Sequence, residues 1–129
     1  MNSKFFLAMS EKNFSCDLNG LAEAKTFLES VCDSPKPAIV VDEIVSNIVR
    51  CSGASAFTIR LDQAPEGLKM VFIDDGVAFD PTMDAATPDI TASTEDRGIG
   101  GLGIFMVKKM AKSVAYARQD GKNVLSVVI

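Results

Sequence analysis

The chain has 129 residues, 47% of them hydrophobic and 23% charged, which suits one compact domain with a buried core and leaves little room for a second. Seventeen acidic against 13 basic side chains give a net charge of -4, so there is no electrostatic case for binding nucleic acid or an anionic membrane. Histidine is absent, which removes Ser-His-Asp triads, histidine-ligated metals and phosphohistidine and leaves proton transfer to carboxylates.

In chain order, Lys4 to Met9 reads as a first strand, followed by a turn through Glu11 to Asn13 and a second short strand near Phe14. The apolar patch within Met1 to Ser10 is too brief for a signal-peptide core, and no later run approaches membrane-spanning length. Cys16, Cys32 and Cys51 are odd in number and lack metal-site spacing, which fits reduced thiols, no structural disulfide and a cytoplasmic domain. Leu21, Ala24, Leu28 and Val31 keep the spacing of one buried helical face, with Asp17 or Asn19 as N-cap and Asp33-Ser34-Pro35-Lys36-Pro37 marking the end. A second helix is predicted from Ala38 to Cys51, with Val41, Ile44, Val45, Ile48 and Val49 on its apolar face and Ser52-Gly53 ending it.

Phe57, Ile59 and Leu61 alternate with Ala56, Thr58 and Arg60, so a half-buried strand follows. The turn Ala64-Pro65-Glu66-Gly67 joins it to an almost unbroken apolar strand, Leu68 to Ile73, which stops at Asp74. From Pro81 the chain is polar and aperiodic, long for a loop in so small a domain, and residues 81–97 read as a mobile lid. After a glycine-rich segment, Ile104, Val107, Met110 and Ala111 make a helical face, with Lys108, Lys109 and Lys112 toward the negative C-terminal end. The last hairpin pairs Val114 to Arg118 with Val124 to Ile129 around Asp120-Gly121.

Three segments carry chemistry. Gly98, Gly100, Gly101 and Gly103 fall within six residues just before a helix, where backbone N–H groups and the helix dipole hold phosphate. The spacing Gly98-x-Gly100-x-x-Gly103 also matches a dinucleotide fingerprint, but Thr91 to Arg97 is polar where a strand is required. Ile104 and Phe105 stand where a Walker A loop needs lysine and a hydroxyl residue. Glu43 and Asn47, four apart, stack on one side of their helix; an amphipathic helix places solvated residues the same way. An Asn amide oxygen can ligand Mg²⁺, and a neighbouring carboxylate can take a proton from an attacking hydroxyl. Asp74 is either a turn residue or a ligand group, and a carboxylate there accepts from the exocyclic amine of adenine while repelling the guanine carbonyl. Together the segments point to an ATP site.

Their order, Glu43-Ile-Val-Ser-Asn47, then Asp74-Asp-Gly-Val-Ala-Phe-Asp-Pro81, then Arg97-Gly-Ile-Gly-Gly-Leu-Gly-Ile-Phe105, resembles the ATPase superfamily of gyrase, heat-shock chaperones, histidine kinases and mismatch-repair proteins. Within it, the short length and the Gly-Gly-Leu-Gly-Ile-Phe-Met-Val-Lys-Lys string are most similar to bacterial anti-sigma factor serine/threonine kinases, a likeness spanning Ala38 to the C-terminus. The resemblance implies an α+β two-layer sandwich of the Bergerat type, residues 1–129 forming one domain, with helices on one face of a mixed, mainly antiparallel sheet. It implies that Asn47 holds Mg²⁺, Glu43 is the general base, Asp74 binds adenine and Gly76 leaves room beside the base. Gly98, Gly100, Gly101, Leu102 and Gly103 would hold phosphate oxygens, Arg97 would reach the terminal phosphate, and Ser126 would lie near adenine, where relatives often carry threonine. Ala78 replaces a family glycine, and Cys51 stands where relatives often have histidine or tyrosine. The implied activity is transfer of the ATP terminal phosphate to a small antagonist protein by a kinase that also binds a sigma factor. A homodimer is a further implication, and a non-catalytic ATP/ADP-sensing module is the alternative.

Overall fold

A computed structural model describes residues 9–32, 34–84 and 101–129. The first described strand, β1 (Met9–Ser15), is followed by α1 (Leu18–Val31) and α2 (Pro35–Cys51); the strand expected from Lys4 lies, up to residue 8, outside the described residues. The hairpin β2 (Ala56–Ala64) and β3 (Gly67–Asp74) comes next, then the single turn α3 (Pro81–Asp84), α4 (Gly101–Met110) and the hairpin β4 (Ser113–Gln119) and β5 (Lys122–Val128). The expected turn at Glu11 to Asn13 does not form. Those residues lie inside β1, where Glu11 pairs with Arg60, Lys12 with Ile59 and Asn13 with Thr58. Polar residues suit this edge strand because two of its side chains meet polar partners: Arg60 Nε donates to Glu11 Oε1 at 2.8 Å, and Thr58 Oγ1 to Asn13 Oδ1 at 2.5 Å.

Asp17 is the N-cap of α1, accepting from the Gly20 N–H at 2.8 Å. The second helix begins three residues earlier than its sequence pattern suggests, because Pro35 and Pro37 fall in the first turn, where the missing N–H has no intrahelical partner to lose. Likewise α4 begins at Gly101, so Gly101 and Gly103 lie in its first turn rather than in a preceding loop. The final hairpin turns through Asp120 (φ 53) and Gly121 (φ 73), the two left-handed positions of a type I′ turn.

The sheet order is β1-β2-β3-β5-β4, and every pairing among the described strands is antiparallel, so the expected parallel component is absent there. Alternation turns Phe57, Ile59, Leu61, Met70, Phe72, Leu125 and Val127 toward the helices. They meet Ala24 and Leu28 of α1, Val40, Val41, Ile44, Val45 and Ile48 of α2, and Ile104 and Val107 of α4 in one core. Phe14 stacks on Phe57 with ring centroids 5.2 Å apart. This is the two-layer α+β sandwich, with its helices on one side.

One cross-strand row is different. Phe14, Phe57, Asp74, Asn123 and Arg118 lie side by side across the five strands, so the core face turns polar at one end of β3 and β5. The site lies at that end.

Candidate functional site

A small cavity opens between the C-terminal half of α2 and the polar end of the sheet. Asn47, Ile44, Ile48 and Ser52 line it from α2 and its cap, and Phe72, Asp74, Tyr116, Asn123 and Leu125 from the sheet. Phe79 and Pro81 close it from the segment after β3, and the space left is about 30 Å³, room for one or two waters. Asn47 and Asp74, separated by 27 positions in the chain, thus face the same hollow.

Adjacent aspartates divide two tasks. Asp75 turns away from the cavity and accepts from the Ser55 N–H at 3.0 Å and the Ser55 hydroxyl at 2.8 Å. These bonds hold its carboxyl below the ordinary carboxylate range. Asp74 is 6% exposed, and its Oδ1 accepts from the Gly76 N–H at 2.9 Å and from Asn123 Nδ2 at 3.0 Å. Its Oδ2 has no hydrogen-bond partner among the described residues, although buried polar atoms are normally paired. The Asn47 side chain is likewise without a hydrogen-bond partner among the described residues. A desolvated acceptor and an amide on facing walls of one cavity suit a polar ligand.

Asn123, overlooked in the sequence, is the hub of the polar row. It is 5% exposed and makes five hydrogen bonds. Its Nδ2 donates to Asp74 Oδ1 and, at 2.8 Å, to the Val77 carbonyl. Its Oδ1 accepts from the Tyr116 hydroxyl at 2.5 Å, Arg118 Nη1 at 3.1 Å and the Phe79 N–H at 3.2 Å. The sequence reading instead assigned Ser126, and the structure corrects it. Ser126 pairs with Val71 and Ala115 on the opposite face of the sheet, because it is three residues from Asn123 and strand side chains alternate.

Gly76 packs closely on the end of α2. A Cβ at Gly76 would strike the Ser52 carbonyl oxygen and would lie 2.7 Å from Ser52 Cβ, so its bare backbone lets the loop pack on the end of α2. The Val77 N–H donates to that same Ser52 carbonyl at 2.9 Å. Ser52 itself is buried, its hydroxyl donating to the Ile48 carbonyl at 2.7 Å.

Glu43 does not line the Asn47–Asp74 cavity. One turn earlier on α2, it sits in an open groove with Lys25, Glu29, Ala38, Ile39, Asp42 and Met106. Gly103 lies directly against it: a Cβ there would collide with Glu43 Oε2. The first turn of α4 therefore touches the helix face that carries Glu43 and, four residues on, Asn47. The side chain of Leu102 and the whole of Arg97, Gly98 and Gly100 lie outside the described residues, as does most of the expected lid. Its first four residues form α3, capped by Asp80, whose Oδ1 accepts from the Thr82 N–H at 2.8 Å. Lys108 Nζ of α4 donates to the Thr82 carbonyl at 3.1 Å, tying α3 to α4.

Cys16 and Cys32 are free thiols; burial, opposed by a Ser52 contact and reinforced by the charges of Asp74, Asp75 and Asp17, pushes the Cys16 thiol up. No helix among the described residues is long and apolar enough to cross a membrane.

A two-layer sandwich with an acid at the end of β3, an amide on the facing helix and a glycine-bearing helix start against that helix defines a class of nucleotide-binding domain. Residues 18–129 match the histidine kinase-like ATPase domain family, and the chain belongs to it, with the kinase-like ATP-binding function that membership carries. Over 93 residues the chain is 29% identical to the serine/threonine-protein kinase BtrW of Bordetella bronchiseptica, a match covering 69% of this chain and 65% of that protein. ATP suits the donor set: the adenine amine complements the unpartnered Asp74 Oδ2, and a carboxamide such as that of Asn47 is a hard-cation ligand. Among the described residues no group of three or more Cys, Asp or Glu is placed to hold a metal by itself. A divalent ion, if held here, would have the Asn47 carboxamide oxygen as a ligand.

Proposed function

We propose that this chain is an ATP-dependent protein serine/threonine kinase, acting as an anti-sigma regulatory factor that transfers the ATP terminal phosphate to a small antagonist protein. The observation that carries the reading is the unpartnered oxygen of buried Asp74 in one cavity with the unpartnered amide of Asn47, on the helix that holds Glu43 against Gly103. Asp74 would receive the adenine amine, and the Asn47 amide oxygen would hold Mg²⁺. The ion, when bound, would supply positive charge that offsets the phosphate charge. Glu43 accepts the proton of the serine or threonine hydroxyl. Its place outside the purine cavity, in a groove open to the surface, suits a group that must meet a protein substrate rather than the base.

The name of the Bordetella bronchiseptica relative supports the reaction class. Sigma-factor binding and the antagonist substrate rest on the resemblance of the ordered motifs. The test is incubation of the wild-type chain and a Glu43→Gln variant with Mg-ATP and an antagonist protein encoded beside it, followed by detection of phosphoserine or phosphothreonine. Wild type is expected to transfer phosphate; Glu43→Gln keeps ATP binding and loses transfer. Equal transfer by the two proteins rejects the role of Glu43, and tight ATP binding without transfer by wild type replaces the kinase with a nucleotide-sensing module.

A further inference from the structure

Asn123 uses its whole hydrogen-bonding capacity at the base of the cavity. Its two amide hydrogens go to Asp74 Oδ1 and the Val77 carbonyl, and its oxygen takes three donors. No other orientation of the amide satisfies this ring, since every neighbour of Oδ1 is a donor and both neighbours of Nδ2 are acceptors. Two consequences follow for the pocket. The Asp74 carboxylate is pinned by one oxygen, between Asn123 and the Gly76 N–H, so the other is held in a fixed direction. The loop that carries Phe79 over the cavity is pinned by the same side chain, at the Val77 carbonyl and the Phe79 N–H.

We infer that Asn123 is a positioning residue for base recognition: by fixing Asp74 and the Val77–Phe79 loop as one unit, it sets the preference of the pocket for a purine bearing a 6-amino group. The inference rests on the adenine-nucleotide reading of Asp74. Without the amide, the carboxylate turns about its side-chain bonds and trades either oxygen for water, so discrimination is lost before binding is. The ring also reaches the surface. Arg118, exposed on edge strand β4, donates to the Gly76 carbonyl at 2.9 Å as well as to Asn123, and Tyr116 holds the amide oxygen from the same strand.

The test compares the affinities of Mg-ATP and of purine riboside 5′-triphosphate with Mg²⁺, which lacks only the 6-amino group, for wild type and Asn123→Ala. Wild type is expected to prefer ATP by about 10- to 100-fold, the scale of one charge-assisted hydrogen bond. In Asn123→Ala the preference falls to about threefold or less, while the deamino nucleotide, held by its phosphates, binds nearly as before. A loss of both affinities in equal proportion, with the preference intact, overturns the inference, because that is the signature of a merely structural residue. No preference in wild type, or no binding of either nucleotide, instead overturns the adenine reading of Asp74 and this inference with it. Should Asn123→Ala fail to fold, the double variant Tyr116→Phe/Arg118→Ala, altered at the edge strand, carries the same comparison. It is expected to lower the preference at least threefold, and an unchanged ratio contradicts the role of the ring.

Discussion

Gly103 and Gly76 lack a side chain for opposite reasons, and the difference is measurable. At Gly103 the obstructing atom is the tip of Glu43, which can swing aside. Gly103→Ala is therefore expected to keep or raise stability, by up to about 1 kcal/mol from helix propensity, while displacing the proposed base and lowering phosphotransfer. Retained transfer with a normal melting curve would separate Gly103 from Glu43. At Gly76 the obstruction is the Ser52 backbone at the end of α2, which cannot swing aside. Gly76→Ala is expected to cost about 1–3 kcal/mol in denaturant unfolding, as overpacking does. The motif Asp74-Asp75-Gly76 reads as a turn or a ligand group; Asp75 is hydrogen-bonded to Ser55, while Asp74 lines the cavity. Asn123 carried no such local signal: a polar residue in a strand declares itself only when its cross-strand neighbour is known, and that neighbour, Asp74, lies 49 positions away.

The elements were legible where periodicity is local. Alternation over Phe57 to Leu61 and the Asp120-Gly121 turn located both hairpins, and the spacing from Leu21 to Val31 located α1. What failed was non-local or context-bound. Met9–Ser15 is a polar edge strand defined by its partner β2, Pro35 and Pro37 start a helix rather than separate two, and Ser126 misses the site by strand parity. Two hydrogen-bonded carboxyls, the α1 cap Asp17 and the Ser55 partner Asp75, also make these elements sensitive to acid. Asp17 is held below the ordinary range by the Gly20 N–H and the Ser15 hydroxyl, as Asp75 is by Ser55. A depressed folded value means the native state binds fewer protons than the unfolded one, so the contribution is complete above about pH 4, the unfolded value. It fades as pH falls through the lower folded values. Acid titration of wild type against Asp17→Asn/Asp75→Asn should show a shallower loss of stability below about pH 4 in the variant, and parallel curves would contradict a stabilising role for both carboxylates.

At the scale of the whole molecule, the helical layer and the sheet enclose an apolar core at one end and a polar cavity at the other, and α2 belongs to both. Ile44 and Ile48 face the core and line the cavity, with Asn47 between them in sequence, so the cavity wall and the core packing share one helix. Phe57→Ala, on the row of Asp74, is expected to cost about 3–5 kcal/mol and to lower nucleotide affinity by loosening the end of β3. A destabilised variant with unchanged affinity would show the cavity to be independent of the core. With about 30 Å³ free, the cavity must open at Phe79 and Pro81 to admit a purine, so nucleotide binding should alter hydrogen exchange across residues 76–82.

Whether Asp74 reads an adenine in this cavity is tested most directly by calorimetric titration of wild type and Asp74→Asn with Mg-ATP and Mg-GTP. Wild type should bind ATP far more tightly than GTP, and Asp74→Asn should lose about 1.5–3 kcal/mol of ATP affinity, about 10- to 100-fold. Equal affinity of the two proteins for ATP would contradict the claim.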